Sequence, residues 1–177
     1  TTILWNMEGK MVHKILLNEK GYNCVFSSDG KMILNTSPYD FTGRIWNIEN
    51  NQIIELKGHT AIIWSGQFSQ DSKYIITASN DGTTRLWDLN GTEIMLLKGH
   101  SSQVLNANFS PDGKCVVTAS ADATARIWNI KPLENPILKG HTAYVVDANF
   151  SPDGEKIITA GWDYTARLWN KNGKLEN

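Results

Sequence analysis

The 177-residue sequence is short of several things, and each shortage removes a class of function. No apolar run approaches the ~18–20 residues that a membrane-spanning helix needs. The opening TTILWNMEGK has no basic stretch followed by an apolar one, so no secretory leader is visible. There are two cysteines, Cys24 and Cys115, and they stand alone rather than as a metal-type pair. They read as small buried hydrophobes of a reducing compartment, and a cytoplasmic location is expected. The net charge of −1 leaves no basic excess, which weighs against nucleic acid as a partner. Helical spacing with caps is missing as well.

What the chain has in excess is tryptophan, with seven residues. Five of them, Trp5, Trp46, Trp87, Trp128 and Trp169, recur every 41 residues. Asp40, Asp81, Asp122 and Asp163 keep the same interval, as do Arg44, Arg85, Arg126 and Arg167. His59, His100 and His141 join them, each inside the tetrapeptide LKGH. A period of roughly 40–45 residues marks a propeller or solenoid array.

Within one period the pattern is β. Over residues 58–97, turn signals (SQDSK, SNDGT, DLNGT) cut the chain into four short runs, Ile62–Phe68, Tyr74–Ser79, Thr83–Trp87 and Ile94–Leu97. These runs are rich in Ile, Thr, Tyr and Trp, which suit a half-buried pleated surface. Four short antiparallel strands make one propeller blade.

The recurring GH, FSPDGK and TAS-D-T-R-WN elements resemble the WD-repeat β-propeller family along essentially the whole chain. The resemblance implies an all-β fold: a single partial β-propeller over 1–177, part of a larger ring of about seven blades. TTILWN aligns with TTRLWD at 83–88, so residues 1–15 read as a leading half-blade. Four blades follow at 16–57, 58–98, 99–139 and 140–177, and the last stops where its outer strand should begin. Because a blade cannot bury its faces alone, the ring is expected to be completed by more of the chain. The alternatives are pairing with a second half-propeller or a small closed ring.

The repeated histidine invites two chemical readings. Thr77, His59 and Asp81 could form a catalytic triad, as could Thr118, His100 and Asp122, or Thr159, His141 and Asp163. Catalysis needs one site with an oxyanion hole and a pocket, not three copies in phase with a repeat, and no Gly-x-Ser-x-Gly elbow is present. Histidines 41 residues apart cannot converge on one zinc. Neither enzyme activity, a metal nor any other cofactor is expected. In the resembling family these positions form a hydrogen-bonded tetrad that braces each blade. Carried over, the tetrads are His59, Thr77, Asp81 and Trp87; His100, Thr118, Asp122 and Trp128; and His141, Thr159, Asp163 and Trp169. The donor and acceptor inventory fits such a chain.

The first full repeat, 16–57, departs from the pattern. Its histidine position falls on Leu17, leaving Thr36, Asp40 and Trp46, and NTSPYDF carries one extra residue and a proline. The family places three further positions of each blade on the narrow top face: three and five after the histidine, and one before the aspartate. These are Lys20, Tyr22 and Tyr39; Ile62, Trp64 and Asn80; Gln103, Leu105 and Ala121; and Tyr144, Val146 and Trp162. Five of the twelve are aromatic, the residue types favoured at protein interfaces. Phe41 and Tyr164, one past their aspartates, could extend this surface.

The lysines before each GH (Lys57, Lys98, Lys139) read as solvated rim charges, and the arginines as stems packed on a neighbouring blade. The SPDGK and SPDGE turns are hairpin connections, not phosphate loops. The expectation is a non-catalytic interaction scaffold that binds a peptide or protein on its top face. The alternative is a regulatory propeller module fused to a signalling enzyme elsewhere in a longer chain.

Overall fold

A computed structural model of the chain describes residues 2–15, 21–130 and 135–176. These form seventeen strands and, among the described residues, no helix. Strands β1 (Thr2–Trp5) and β2 (Met11–Ile15) make a two-stranded antiparallel half-blade. Blade 1 holds β3 (Asn23–Phe26), β4 (Met32–Thr36), β5 (Gly43–Asn47) and β6 (Ile53–Leu56). Blade 2 holds β7 (Ile63–Phe68), β8 (Tyr74–Ser79), β9 (Thr83–Asp88) and β10 (Glu93–Lys98). Blade 3 holds β11 (Val104–Phe109), β12 (Cys115–Ser120), β13 (Thr124–Asn129) and β14 (Ile137–Lys139). Blade 4 has three strands, β15 (Val145–Phe150), β16 (Lys156–Gly161) and β17 (Ala166–Asn170); a single bridge, Trp169 to Leu175, stands where a fourth would run.

Local chemistry sets the hairpins. At the β11–β12 turn the Ser110 hydroxyl donates to Asp112 Oδ1 at 2.7 Å and accepts the Cys115 N–H at 2.9 Å. Gly113 supplies the left-handed corner at φ 68°, a conformation that costs glycine nothing. Blade 2 uses Ser72 at the same corner, at φ 56°. The strands then alternate, burying one set of side chains against the previous blade and the other against the next.

Three cores result, each lying between two sheets. Leu34, Ile45 and Leu56 of blade 1 face Phe68, Ile75 and Trp87 of blade 2. Ile76, Ala78 and Leu86 face Val104, Ala107, Phe109, Val116 and Trp128 of blade 3. Val117, Ala119, Ala125 and Ile127 face Val145, Ala148, Ile157 and Trp169 of blade 4. Each large apolar side chain buried in this way contributes roughly 2 kcal/mol. A blade therefore shares its stability with its neighbours, as repeat architectures do.

Candidate functional site

The LKGH segments lie at the end of each blade that also carries the turn between its second and third strands, here called the top. In blade 2, His59 Nδ1 lies 2.8 Å from Asp81 Oδ2 and Nε2 lies 2.8 Å from Thr77 Oγ1. The Trp87 indole donates to the same Thr77 oxygen at 2.8 Å. The Asp81 carboxylate can only accept, so the His59 proton sits on Nδ1, and the Thr77 hydroxyl, which accepts from tryptophan, can donate to Nε2. Blade 3 repeats the chain at 2.8, 2.7 and 2.8 Å through His100, Asp122, Thr118 and Trp128. Blade 4 repeats it at 2.9, 2.8 and 2.9 Å through His141, Asp163, Thr159 and Trp169.

Each aspartate is further saturated: Asp81 accepts from the Thr60 and Thr83 N–H groups and from the Thr83 hydroxyl at 2.6 Å. Burial pushes the Asp122 carboxyl up, but the Thr124 and His100 hydrogen bonds outweigh it and hold it at about 2. The same opposition leaves Asp81 and Asp163 well below the usual carboxylate range. Burial lowers His100 despite the Asp122 contact, which matches a neutral ring. Both ring nitrogens of His59, His100 and His141 are occupied, so these rings have no nitrogen to offer a substrate. Among the described residues no group of His, Cys, Asp or Glu could hold a metal ion. The glycine of LKGH sits in a tight approach: a Cβ at Gly58 would lie 2.6 Å from Arg85 Nη1 and 3.2 Å from the Trp87 ring, so the arginine would have to move.

Blade 1 corrects the reading of its repeat. Thr77, Thr118 and Thr159 lie opposite Arg85, Arg126 and Arg167, whereas the residue opposite Arg44 is Asn35, not Thr36. The extra residue of NTSPYDF displaces Thr36 by one place, to the slot of Ala78, and one step flips a strand residue to the other face. The Asn35 amide turns instead to Thr2 Oγ1 at 3.4 Å. The Trp46 indole N–H, buried, has no acceptor among the described residues, and its ring meets His13 of the half-blade edge-on at 5.9 Å. Asp40 pairs with Arg44, which also reaches Glu55 at 3.2 Å. Leu17, the position read in place of histidine, lies outside the described residues. The guanidinium groups of Arg85 and Arg44 cross to acids on their own outer strands, Glu93 and Glu55.

The top-face positions are set by a repeated irregularity. Trp64 bulges between Ile63 and Ser65, Leu105 between Val104 and Asn106, and Val146 between Val145 and Asp147. A bulge re-aims its side chain out of the strand alternation. The Asn80, Ala121 and Trp162 N–H groups donate to the Ile62, Gln103 and Tyr144 carbonyls at 2.8, 3.0 and 2.9 Å. Trp162 stacks on Tyr144 with centroids 5.1 Å apart and planes at 25°. Trp64 meets Tyr22 of blade 1 edge-on at 5.2 Å and donates to Asn80 Oδ1 at 3.3 Å. Trp162 is 64% exposed and Tyr39 59%, and Tyr22, Gln103 and Tyr144 are exposed too. Ile62, Trp64, Asn80, Leu105 and Val146 are half-buried, while Ala121 is almost covered and adds little surface. Lys20 lies outside the described residues.

A family model described as WD domain, G-beta repeat matches residues 50–88, 91–129 and 133–170, about two thirds of the chain. The chain belongs to the WD-repeat family. A search of the curated proteins gave no significant match. Each matched WD repeat starts around the outer strand of one blade and ends on the third strand of the next, so sequence repeat and blade are out of phase. Domains of this family are generally protein-interaction scaffolds and typically not catalysts.

Two features of these WD blades escaped the sequence reading. Polar side chains on the innermost strands tie neighbours together: Ala107 and Phe109 N–H groups donate to Ser65 Oγ and Gln67 Oε1, and Asn108 Nδ2 donates to the Ala148 carbonyl at 2.9 Å. The signal was the polar alternation in SGQF, NANF and DANF. The other is backbone strain. Where blade 2 has Gly82 at φ 80°, the others hold Phe41, Ala123 and Tyr164 at φ 56°, 65° and 61°. That conformation costs a non-glycine residue about 1–2 kcal/mol. Tyr164 is fully exposed, so no packing offsets it.

Proposed function

We propose that this chain is a non-catalytic platform whose top face binds a peptide or protein surface. The stacked and exposed Tyr144–Trp162 pair, beside a strained and exposed Tyr164, carries the reading. Exposed aromatic clusters are unfavourable in water and are typical anchors of protein interfaces. A backbone penalty at Tyr164 adds to that cost, and strain of this kind concentrates at functional positions. Tyr22 and Trp64 form a second aromatic pair towards the other end of the face, with exposed Tyr39 on blade 1, and blade 3 between the two pairs contributes only Gln103, Leu105 and Ala121. The partner would therefore anchor at two places rather than along a continuous strip. The chain would act in the cytoplasm, in keeping with Cys24 and Cys115, neither of which forms a disulfide.

The test uses peptides selected from a random library on the immobilised chain. Trp162→Ala and Tyr144→Ala should each weaken the selected peptides by tenfold or more, the loss of a hot-spot side chain of about 2 kcal/mol. The unfolding midpoint should stay where it was, because both side chains are exposed. Binding that survives both substitutions, or an unfolding midpoint that collapses with them, would overturn the assignment.

A further inference from the structure

The three LKGH segments differ in what neutralises them. At each, the recurring arginine lies against the glycine: a Cβ at Gly58, Gly99 or Gly140 would sit 2.6, 2.9 or 2.9 Å from Nη1 of Arg85, Arg126 or Arg167. A lysine precedes each glycine, so every segment brings two cations together. In the first segment both are answered within the chain. Lys57 pairs with Glu55, and Arg85 pairs with Glu93, eight residues on. In the last segment neither is. Leu175 stands eight residues after Arg167, where Arg85 has its glutamate. The nearby acids are committed elsewhere: Asp163 to His141 and the Thr142 N–H, and Glu176 to Lys156 at 3.0 Å. Among the described residues no carboxylate pairs with Lys139, which is exposed, or with Arg167, which is half-buried. The residue eight after Arg126, Glu134, lies outside the described residues.

We propose that Lys139 and Arg167 take a carboxylate from an acidic segment of a partner protein, the same segment that seats on Tyr144 and Trp162. The inference rests on the top-face reading and adds the chemistry of the partner. Blade 2 shows the contact from within, since Glu93 reaches Arg85 from the outer strand. A planar guanidinium suits such recognition of a carboxylate, and the partner's Asp or Glu supplies the acid that blade 4 lacks. The reach is short. Lys139 and Tyr144 are five residues apart on one segment, at most about 18 Å, so about six extended residues of the partner span charge and anchor. Tryptophan and tyrosine rings also attract cations, but the charges here oppose one. The Asp122 and Asp163 side chains are only 6% exposed and already paired with their histidines. A partner lysine or arginine would meet two like charges and no available acid. At the Tyr22–Trp64 end the corresponding cations are neutralised, so the acidic preference belongs to blade 4.

The test uses peptides selected from a random library on the immobilised chain, with affinity read by fluorescence anisotropy. They should carry Asp or Glu within about six residues of an apolar anchor. Lys139→Glu should weaken them by about fivefold or more at low salt and by less at about 0.5 M salt, as expected of a charge at the rim. Leu175→Glu should weaken them by about threefold, because it gives Arg167 the internal acid that Arg85 has. Lys57→Glu should change affinity by less than about twofold. Binding indifferent to Lys139→Glu would overturn the proposal, and a loss with Trp162→Ala in the same series would leave the top-face reading standing. Loss with Lys139→Glu but not with Trp162→Ala would keep the acidic contact and remove the aromatic anchor instead.

Discussion

Blades 1 and 3 share a topology and differ in what closes their tops. Both are four antiparallel strands in which the tryptophan side chain is buried. In blade 3 the Trp128 indole, Thr118, His100 and Asp122 form one chain of hydrogen bonds. In blade 1 Trp46 has no acceptor among the described residues, Asn35 faces Thr2, and Asp40 pairs with Arg44. The sheet thus survives loss of the tetrad. Strand alternation and interblade burial are enough to specify a blade, and the tetrad adds stability and fixes the top turn. A brace present in some blades and dispensable in another is structural, and such a brace cannot be what distinguishes this protein's binding from that of another family member.

The largest expected effect comes from cutting the brace. His100→Ala leaves Asp122 and Thr118 short of partners and should cost about 3 kcal/mol in denaturant unfolding. Asp40→Ala in blade 1 breaks a part-exposed ion pair and one turn hydrogen bond from the Thr42 N–H, and should cost about 1 kcal/mol. Next comes the indole. Trp128→Phe removes a satisfied donor and should cost about 1–2 kcal/mol, whereas Trp46→Phe removes an unpartnered one and should be close to neutral. Equal costs would break the comparison. Restoring blade 1 is a smaller step: Asn35→Thr gives Trp46 an acceptor and should gain about 1 kcal/mol, with a downfield shift of the Trp46 indole proton.

Acid should produce the smallest difference. Burial holds His100 below its ordinary value, so the unfolded chain takes up the proton first. Its contribution is whole above the unfolded value of about 6.5 and is lost as the pH falls below it. Asp122, held at about 2, keeps its contribution above the unfolded carboxylate value and loses it only as the pH falls towards 2. Between pH 7 and 5 the histidine alone should act. Amide exchange in β12, corrected for intrinsic rate, should quicken over that range, and exchange in β4, whose blade has no such histidine among the described residues, should not.

Much of this was legible in the sequence because it repeats. The 41-residue spacing located the tetrads of blades 2 to 4, and turn signals placed β7 to β10 within a residue or two at most ends. The tetrad of blade 1 was not legible, since one inserted residue moves Thr36 off the tetrad face and nothing in NTSPYDF says where the slack is taken up. The bulges at Trp64, Leu105 and Val146 are invisible in composition, as they arise from pairing with the second strand. The left-handed Tyr164 was hidden for a related reason: the glycine that normally marks such a corner is absent there.

Residue-resolved hydrogen exchange of β4 and β12 in the native chain and in Asn35→Thr tests the bracing claim most directly. The account predicts that β12 amides are protected at least about tenfold more than those of β4, equivalent to about 1.4 kcal/mol, and that Asn35→Thr narrows the gap. Equal protection of the two strands in the native chain, or no response of β4 to the substitution, would contradict it.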